Sequence, residues 1–208
     1  MSKRRFLYIV DDEAIVRASI VSLVQAHGDY ECREFANGDT FLAALDELEP
    51  GCVVLDLQLE GAGGDAAMAA LSQRTDRFRT VVVTGFSDLD TAIAALRAGA
   101  LDFLHKPYEM RPLLDAIERG FHLIEHGSEP AALVEAVRDR LQRLQPDEAA
   151  VLKLLIHGRT NEQIGRALDL DARSVQLLRA RILATLDAPT VLAAIRLAGL
   201  AGCFATID

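Results

Sequence analysis

The sequence has no apolar run of the roughly 18 to 20 residues that a membrane-spanning helix needs, although half of its 208 residues are hydrophobic. Its first residues place basic side chains before an apolar run, as a signal peptide does, but that run ends after five residues in three acidic ones. We therefore interpret the run as a first β-strand, and we expect a soluble, cytoplasmic protein without a membrane partner.

Cysteine is scarce as well. Cys32, Cys52 and Cys203 are an odd number of thiols at wide spacings, and the sequence contains no Cys-x-x-Cys pair. Neither a disulfide framework nor a cysteine zinc site is indicated by such spacing. We expect three reduced thiols.

Basic residues are few in the first part of the chain. Residues 1–125 contain 12 Lys and Arg against 21 Asp and Glu, whereas residues 126–144 contain 3 of each kind and residues 145–208 contain 7 of each. The net charge of −9 therefore arises in the N-terminal part. An acidic first domain disfavours nucleic acid as its partner, and a neutral C-terminal part leaves nucleic-acid binding open.

Five short runs that alternate with helical segments are predicted to be β-strands. Three are β-branched runs bounded by polar or turn residues, which is typical of strands buried on both faces; they lie at 6–10, 52–57 and 80–85. Two runs that include charged residues are predicted edge strands, at 30–35 and 101–106. Helical spacing occurs at 14–26, 40–48, 65–72, 89–98 and 110–125. The alternation predicts an α/β domain with a flavodoxin-like, doubly wound sheet of five parallel strands.

Gly, Ser and Pro at residues 126–130 predict a domain boundary. We expect a first domain at 1–126, a helical linker at 127–143 and a second domain at 144–208. One apolar stripe runs along the linker helix and is suited to pairing with a second copy of the chain, although two heptads are too few to pair without help. The stripe consists of Leu133, Val137, Leu141 and Leu144.

Residues 145–208 are predicted to form four short helices. Thr160 and Gln163 have the spacing of a capping box at the start of one helix. Asp171 is suited to cap the next helix, which is predicted to end near Leu186. A last, largely apolar helix is predicted from Pro189 to Leu200. Two helices joined by a three-residue turn are typical of a helix-turn-helix DNA reader, so this is a small all-α domain.

Polar residues with complementary chemistry end four of the predicted strands. Asp11 and Asp12 end the first strand, Asp56 the third, Thr84 the fourth and Lys106 the fifth. In a doubly wound sheet ligands bind beyond these carboxyl ends. Three carboxylates brought together there repel one another unless a hard dication with oxygen ligands lies among them, which points to Mg²⁺. The hydroxyl and the ammonium group suit the oxygens of a phosphoryl group, so we predict a phosphoryl-transfer site.

This set of residues, with Pro107 after Lys106, resembles the receiver domain of two-component response regulators over about residues 5–122. The resemblance implies that Asp56 accepts a phosphoryl group from the phosphohistidine of a sensor histidine kinase. It also implies that the three aspartates bind Mg²⁺ and that Lys106 neutralises the aspartyl phosphate. In that family Thr84 and Phe103 are switch residues, and the Lys-Pro peptide bond is cis.

The C-terminal part resembles the LuxR-type helix-turn-helix domain, and the whole chain is similar to response regulators of the FixJ/LuxR type. Four positions depart from that pattern, because Gln145, Glu162, Gly165 and Leu178 stand where Thr, Lys, Ala and His are usual.

The helix after Asp171 has two faces when its residues are placed at about 100° per residue. Val175, Leu178, Ile182 and Leu186 share one sector and are predicted to face the core. The opposite sector, which we name the reading face, consists of Arg173, Gln176, Leu177, Ala180 and Arg181, with Ala184 beside them. Arginines suit phosphates, glutamine suits adenine and an apolar side chain suits a thymine methyl group.

These observations predict a phosphorylation-switched transcription regulator that binds double-stranded DNA. The resemblance implies that it dimerises through the helix at 89–98 and the neighbouring strand, at Ile93, Ala94 and Arg97. We expect no enzymatic activity beyond its own phosphorylation and dephosphorylation. The alternative is a signalling adaptor whose neutral C-terminal domain binds protein rather than DNA.

Overall fold

The computed structural model describes residues 4–59, 63–85 and 89–203. The chain forms two compact units. The first comprises Met1–Ser87 and Ala98–Ser128, and the second comprises Asp88–Arg97 and Glu129–Asp208.

The first unit contains a parallel sheet whose strand order is β2-β1-β3-β4-β5. The strands are β1 (Arg5–Val10), β2 (Tyr30–Phe35), β3 (Gly51–Asp56), β4 (Phe78–Thr84) and β5 (Asp102–His105). All six residues of the central strand β3 are buried, as its apolar sequence predicts. The charged strands β2 and β5 lie at the edges, which confirms their predicted position. The doubly wound α/β architecture is therefore confirmed.

Helices of the first unit are α1 (Ala14–Gln25), α2 (Gly38–Ala44), α3 (Gly63–Ser72) and α5 (Met110–His126), with a short 3₁₀ helix at Leu45–Glu47. A core cluster packs one face of the sheet, including Leu7, Ile9 and Val54, against Ile20 of α1 and Ile117 of α5. This packing holds the carboxyl ends of β1 and β3 at a fixed spacing. Candidate functional side chains lie at those strand ends.

The second unit is helical. It contains α4 (Leu89–Arg97), α6 (Ala131–Gln142), α7 (Pro146–Ile156), α8 (Asn161–Leu168), α9 (Ala172–Leu186) and α10 (Val191–Leu200). The predicted four helices of the C-terminal domain are present as α7 to α10. The last helix was predicted to begin at Pro189 but begins two residues later. Thr190 is its N-cap, and the Thr190 hydroxyl accepts a hydrogen bond from the amide of Ala193 at 3.1 Å.

Linker helix α6 packs against α9 and α10 in the second unit. Val137 of the linker stripe is 1% exposed and Leu133 is 40% exposed. The stripe is therefore partly covered within the chain, which leaves less of it for a second copy than the sequence predicted.

No single helix in the described ranges is both long and apolar enough to span a membrane; α9 and α10, bent by 53° where they meet, satisfy the same test only as a pair.

Candidate functional site

The carboxyl ends of β1 and β3 place two aspartates side by side at one edge of the sheet. Val10 pairs with Leu55 in the parallel register, so Asp11 and Asp56 leave adjacent strands at the same level. Asp11 is 1% exposed and Asp56 is 3% exposed. Their Oδ1 atoms accept hydrogen bonds from the backbone amides two residues later, those of Glu13 at 2.9 Å and Gln58 at 2.8 Å. These turns fix both carboxylates before any ligand binds.

Lys106 joins the two buried carboxylates. Its Nζ donates to Asp11 Oδ2 at 2.7 Å and to Asp56 Oδ2 at 2.6 Å, and it lies 3.3 Å from Glu13 Oε1. The lysine side chain is 15% exposed, so these charge-assisted bonds form largely out of water. One ammonium group thus compensates two buried charges that would otherwise repel each other.

The environment shifts the pKa of two of these groups. Burial alone lowers the pKa of Lys106, but the hydrogen bonds to Asp11 and Asp56 and their negative charges outweigh it and raise the pKa above its ordinary value. Lys106 therefore stays protonated at neutral pH. Burial raises the pKa of the Asp11 carboxyl, while its hydrogen bond to Lys106 acts in the opposite direction. The two contacts below 3 Å from Nζ to carboxylate oxygens require a proton donor, and the protonated lysine supplies it.

Three carboxylates at this edge are arranged as metal ligands. One oxygen from each of Asp11, Asp12 and Asp56 lies within 4.8 Å of the others. The donor set contains only oxygen, which suits a hard dication rather than a thiophilic metal. Asp12 is exposed, so the cluster is open to solvent on one side. The residues therefore fit a hydrated divalent cation.

The remaining predicted residues occupy neighbouring strands. Thr84 is fully buried at the end of β4, and Phe103 is 7% exposed on β5, where it pairs with Val82. The peptide bond between Lys106 and Pro107 is cis, as the resemblance implied. The four strand ends predicted from the sequence thus converge on the same edge of the sheet.

Sequence reasoning missed three residues at this edge. Glu13 contacts the lysine, and Arg17 donates to the backbone carbonyl oxygens of Asp11 at 2.7 Å and Asp12 at 3.1 Å. Tyr108 is partly buried, and burial raises the pKa of its phenol. Glu13 directly follows Asp11 and Asp12, so the run of three acidic residues could have indicated its role. No sequence signal indicated Arg17 or Tyr108, because their contacts depend on the conformation of the loops.

Helices α8 and α9 form the predicted helix-turn-helix. The Thr160 hydroxyl accepts from the amide of Gln163 at 3.3 Å, and the Gln163 side chain accepts from the amide of Thr160 at 3.0 Å, so the predicted capping box is present. Asp171 caps α9 by accepting from the amide of Ser174 at 2.6 Å. These caps fix the start of both helices and hence the direction of the reading face.

The two faces of α9 are those predicted. Val175, Ile182 and Leu186 are buried, and Leu178 is half-buried. All five residues of the reading face are exposed, and Leu177 is 53% exposed. An exposed leucine between two arginines is suited to a partner surface, although two cations are few for a nucleic-acid interface.

The surface predicted for dimerisation is not wholly free in this conformation. Ala94 and Arg97 are exposed, but Ile93 is 3% exposed. Helix α4 contacts α10 within the second unit, and Ile93 lines a groove there together with His157 and Thr160. The sequence predicted a helix at 89–98, but it did not indicate which helix packs against it.

Comparison with known proteins supports the same assignment of both domains. Residues 7–118 match the response regulator receiver domain family, and residues 142–198 match the luxR family of bacterial regulatory proteins. The chain belongs to the response regulators. In this response regulator the strand-end cluster lies in the receiver domain and the reading face in the luxR-type domain.

Relatives of this response regulator share both domains. It is 31% identical to the transcriptional regulatory protein FixJ of Bradyrhizobium diazoefficiens over 97% of this chain and 98% of that protein. It is 32% identical to DctR of Rhodobacter capsulatus, a C4-dicarboxylate transport transcriptional regulatory protein, over 89% of this chain and 94% of that one. The crystal structure of full-length FixJ from B. japonicum matches with a TM-score of 0.56 at 30% identity, covering 97% and 99% of the two chains.

The response regulator is therefore a phosphorylation-dependent transcription regulator built from a receiver domain and a luxR-type DNA-binding domain. No finding supports the alternative of a protein-binding adaptor.

Proposed function

We propose that Asp56 is the phosphoryl acceptor and that the donor is the phosphohistidine of a sensor histidine kinase. A carboxylate oxygen of Asp56 forms the new bond to phosphorus, the bond between phosphorus and the imidazole nitrogen breaks, and its electron pair stays on the histidine. The observation that carries the proposal is the pair of bonds from Lys106 to Asp11 and Asp56 at the carboxyl edge of the sheet. The ammonium group of Lys106 can exchange one of these two hydrogen bonds for a bond to a phosphate oxygen and still remain in the site.

Asp11, Asp12 and Asp56 are proposed to hold Mg²⁺, which supplies charge neutralisation for the incoming phosphoryl group. The backbone amides of Glu13 and Gln58 hold the carboxylates of Asp11 and Asp56 in place. Asp56 is 3% exposed, so the cationic lysine acts on the phosphoryl oxygens in an environment of lower dielectric constant than bulk water. Thr84 and Phe103 are proposed to respond to the new phosphate as the switch.

Acceptor identity is tested by phosphorylation with a small phosphodonor in the presence of Mg²⁺. The Asp56→Asn variant keeps the size of the side chain and loses the nucleophilic oxygen. We expect intact-mass analysis to detect one phosphoryl group on the wild type and none on this variant. The matched control is Asp65→Asn, which changes a carboxylate of α3 outside the cluster and retains phosphorylation. Labelling that survives Asp56→Asn contradicts the assignment.

The reading face is proposed to bind double-stranded DNA. Arg173 and Arg181 contact phosphates, Gln176 contacts an adenine edge, and Leu177 and Ala180 lie against the bases. Retention of DNA should fall with salt at a logarithmic slope of about −0.9 for each phosphate contacted. Arg181→Gln should make that slope shallower by about one unit. Arg138→Gln, a change of one exposed charge on α6, is the control and should leave the slope unchanged.

A homodimer is proposed to form on phosphorylation through the surface that contains Ile93, Ala94 and Arg97. Because Ile93 is buried in the single chain, its use in a dimer requires α4 to separate from the elements that cover this side chain; α10 is one element that packs against α4. This requirement supplies a reason for dependence on phosphate, since the dimer forms only when the switch stabilises the separated state. Two weakly charged DNA-binding domains then bind one two-fold site together.

A change at Ile93 would disturb the buried contact as well as the dimer, so the dimer surface is better tested at Arg97, which is exposed. Arg97→Glu should retain phosphorylation of Asp56 and sediment as a monomer after phosphorylation. Arg4→Glu inverts another exposed charge, outside this surface, and should still dimerise. If phosphorylated Arg97→Glu sediments as a dimer, the linker stripe or α10 becomes the better interface.

We also propose that the protein acts in the cytoplasm and turns over no substrate other than its own phosphoryl group. The support for this proposal is the similarity of the chain to transcriptional regulatory proteins.

A further inference from the structure

Two histidines lie one turn apart at the C-terminal end of α5. His122 and His126 occupy positions i and i+4, so their side chains share a face of the helix. Their rings are stacked, with centroids 4.3 Å apart and planes inclined by 23°. His122 is half-buried and His126 is exposed. Neither phosphorylation nor DNA binding, as proposed above, uses this pair.

The hydrogen bond of His126 determines which of its nitrogens is free. Nδ1 lies 3.0 Å from the backbone carbonyl oxygen of His122. A carbonyl oxygen only accepts, so Nδ1 of His126 carries the proton and donates it. In the neutral ring Nε2 then has an unshared electron pair. Histidines that ligate metals usually donate their other ring nitrogen to such a carbonyl or to a carboxylate, which fixes the ring.

We propose that His122 and His126 form a two-histidine site for a borderline divalent metal ion such as Zn²⁺ or Ni²⁺. Imidazole is a preferred ligand of these ions, with metal–nitrogen distances of about 2.0 to 2.1 Å. Two tetrahedral ligands at that distance have their nitrogens about 3.3 Å apart. The stacked rings, with centroids 4.3 Å apart, must rotate for both lone pairs to meet one ion at this separation, and the exposure of His126 permits such a rotation.

The site is one for binding rather than hydrolysis. Residues 122–126 have the order His-x-x-Glu-His, which also occurs in some zinc peptidases. Catalytic zinc needs three protein ligands, and Glu125 is instead paired with Arg5 at 3.3 Å. In the parts of the chain that are described, the one cluster of three or more ligating groups is that of Asp11, Asp12 and Asp56. Water therefore completes the coordination of a metal held by the two histidines.

A metal at this position would act on the end of the receiver domain. His126 is the last residue of α5, and Gly127 ends the helix in the left-handed conformation with φ 76°. A metal that joins positions i and i+4 binds only when the last turn is helical, so binding stabilises that turn. The turn directly precedes the chain that leads to α6, and it lies outside the cluster around Asp56.

The direct test is a titration of the full-length protein with Ni²⁺ while excess Mg²⁺ occupies the acidic cluster. Ni²⁺ is paramagnetic, so it should selectively broaden the imidazole proton resonances of His122 and His126. Calorimetry should show one site that weakens at least about tenfold in His122→Gln and in His126→Gln, since even loss of an outer partner costs about 10- to 100-fold. Binding should also weaken on acidification, because both imidazoles must be neutral to ligate.

The chain provides a matched control in His27. Its Nδ1 likewise lies 2.8 Å from the carbonyl oxygen four residues earlier, that of Leu23, and the residue is exposed, but position 23 is not a histidine. His27→Gln should leave the calorimetric site unchanged. An absence of selective broadening in the wild type overturns the proposal, as does an equal loss of affinity in His27→Gln, which would indicate adventitious binding to single surface histidines.

Discussion

The ammonium group of Lys106 neutralises two buried carboxylates, so this side chain is expected to contribute strongly to the stability of the receiver domain. Asp11 and Asp56 are almost fully buried, and both contact the same Nζ atom. Removal of one partner from a buried ion pair leaves an uncompensated charge, which costs about 3 to 5 kcal/mol. A divalent cation bound by Asp11 and Asp56 would neutralise the same two negative charges.

Lys106→Met should therefore lower the free energy of unfolding by about 3 kcal/mol in the absence of divalent ions. Mg²⁺ should increase the free energy of unfolding of this variant more than that of the wild type, because the ion binds the variant without a competing ammonium group. At an Mg²⁺ concentration of about 100 times Kd, binding contributes about 2.7 kcal/mol. Urea unfolding with and without Mg²⁺ measures both effects. Arg111→Met, which breaks an exposed ion pair with Asp115, is the control and should change stability by less than about 0.5 kcal/mol. Equal Mg²⁺ responses in Lys106→Met and wild type would count against the arrangement.

The three cysteines differ in burial and should therefore differ in reactivity. Cys52 is fully buried on β3, and burial raises the pKa of its thiol to about 12, whereas Cys32 and Cys203 are partly exposed. Only a thiolate reacts readily with disulfide reagents. In the folded protein at mildly alkaline pH, Cys52 should resist a thiol-specific reagent and should react once the chain is unfolded. Mass mapping of the labelled cysteines checks this, and rapid native labelling of Cys52 would be inconsistent with its burial.

The turn between α8 and α9 packs closely against α8, and the sequence indicates this only in part. Gly165 stands where Ala is usual in luxR-type domains, and a Cβ atom there would lie 2.7 Å from the backbone oxygen of Leu170. The amide of Leu170 also donates to the carbonyl of Gly165 at 2.9 Å. Asp169, which ends α8, has the left-handed conformation with φ 57°. Glycine thus allows a tighter approach of the turn to the helix.

Gly165→Ala should destabilise the protein by about 1 to 3 kcal/mol, because the added methyl group forces backbone to shift. At an ordinary helix position the same change stabilises by about 0.5 to 1 kcal/mol, so the predicted sign is opposite to helix propensity. Asp169→Gly, four residues away, should be neutral or stabilising, since glycine adopts positive φ without steric cost. Thermal unfolding of the two variants compares these signs. A stabilised Gly165→Ala protein would show that the turn is less tight than described.

Sequence patterns predicted most elements of the first unit because buried parallel strands are continuous apolar runs. Strand ends were correct within one or two residues, as in β3, and the topology of such a sheet brings their polar residues to one edge. Helix α2 begins earlier than predicted, at Gly38, because Asn37 caps it by accepting from the amide of Thr40 at 2.9 Å. Its last predicted residues form a 3₁₀ turn instead. The partner of the apolar face of α4 was not predictable, since periodicity shows that a face is buried but not by what.

For the whole molecule, phosphorylation at one edge of the receiver has to change the behaviour of a reading face on another domain. The luxR-type domain has no net charge, since residues 145–208 contain equal numbers of basic and acidic residues, and its reading face contains two arginines. Such a face binds DNA weakly when alone, so the account requires a phosphate-dependent gain in affinity through pairing of two chains.

Footprinting on the organism's own upstream DNA, with and without phosphorylation, tests this account most directly. The wild type should protect its sites at markedly lower protein concentration after phosphorylation, and protection should extend over two half-sites about one helical turn, or a multiple of it, apart. Asp56→Asn should show only the weak, unphosphorylated level of protection under both conditions. Protection by the wild type that is the same with and without phosphate, or that Asp56→Asn gains equally on addition of the phosphodonor, would contradict the account.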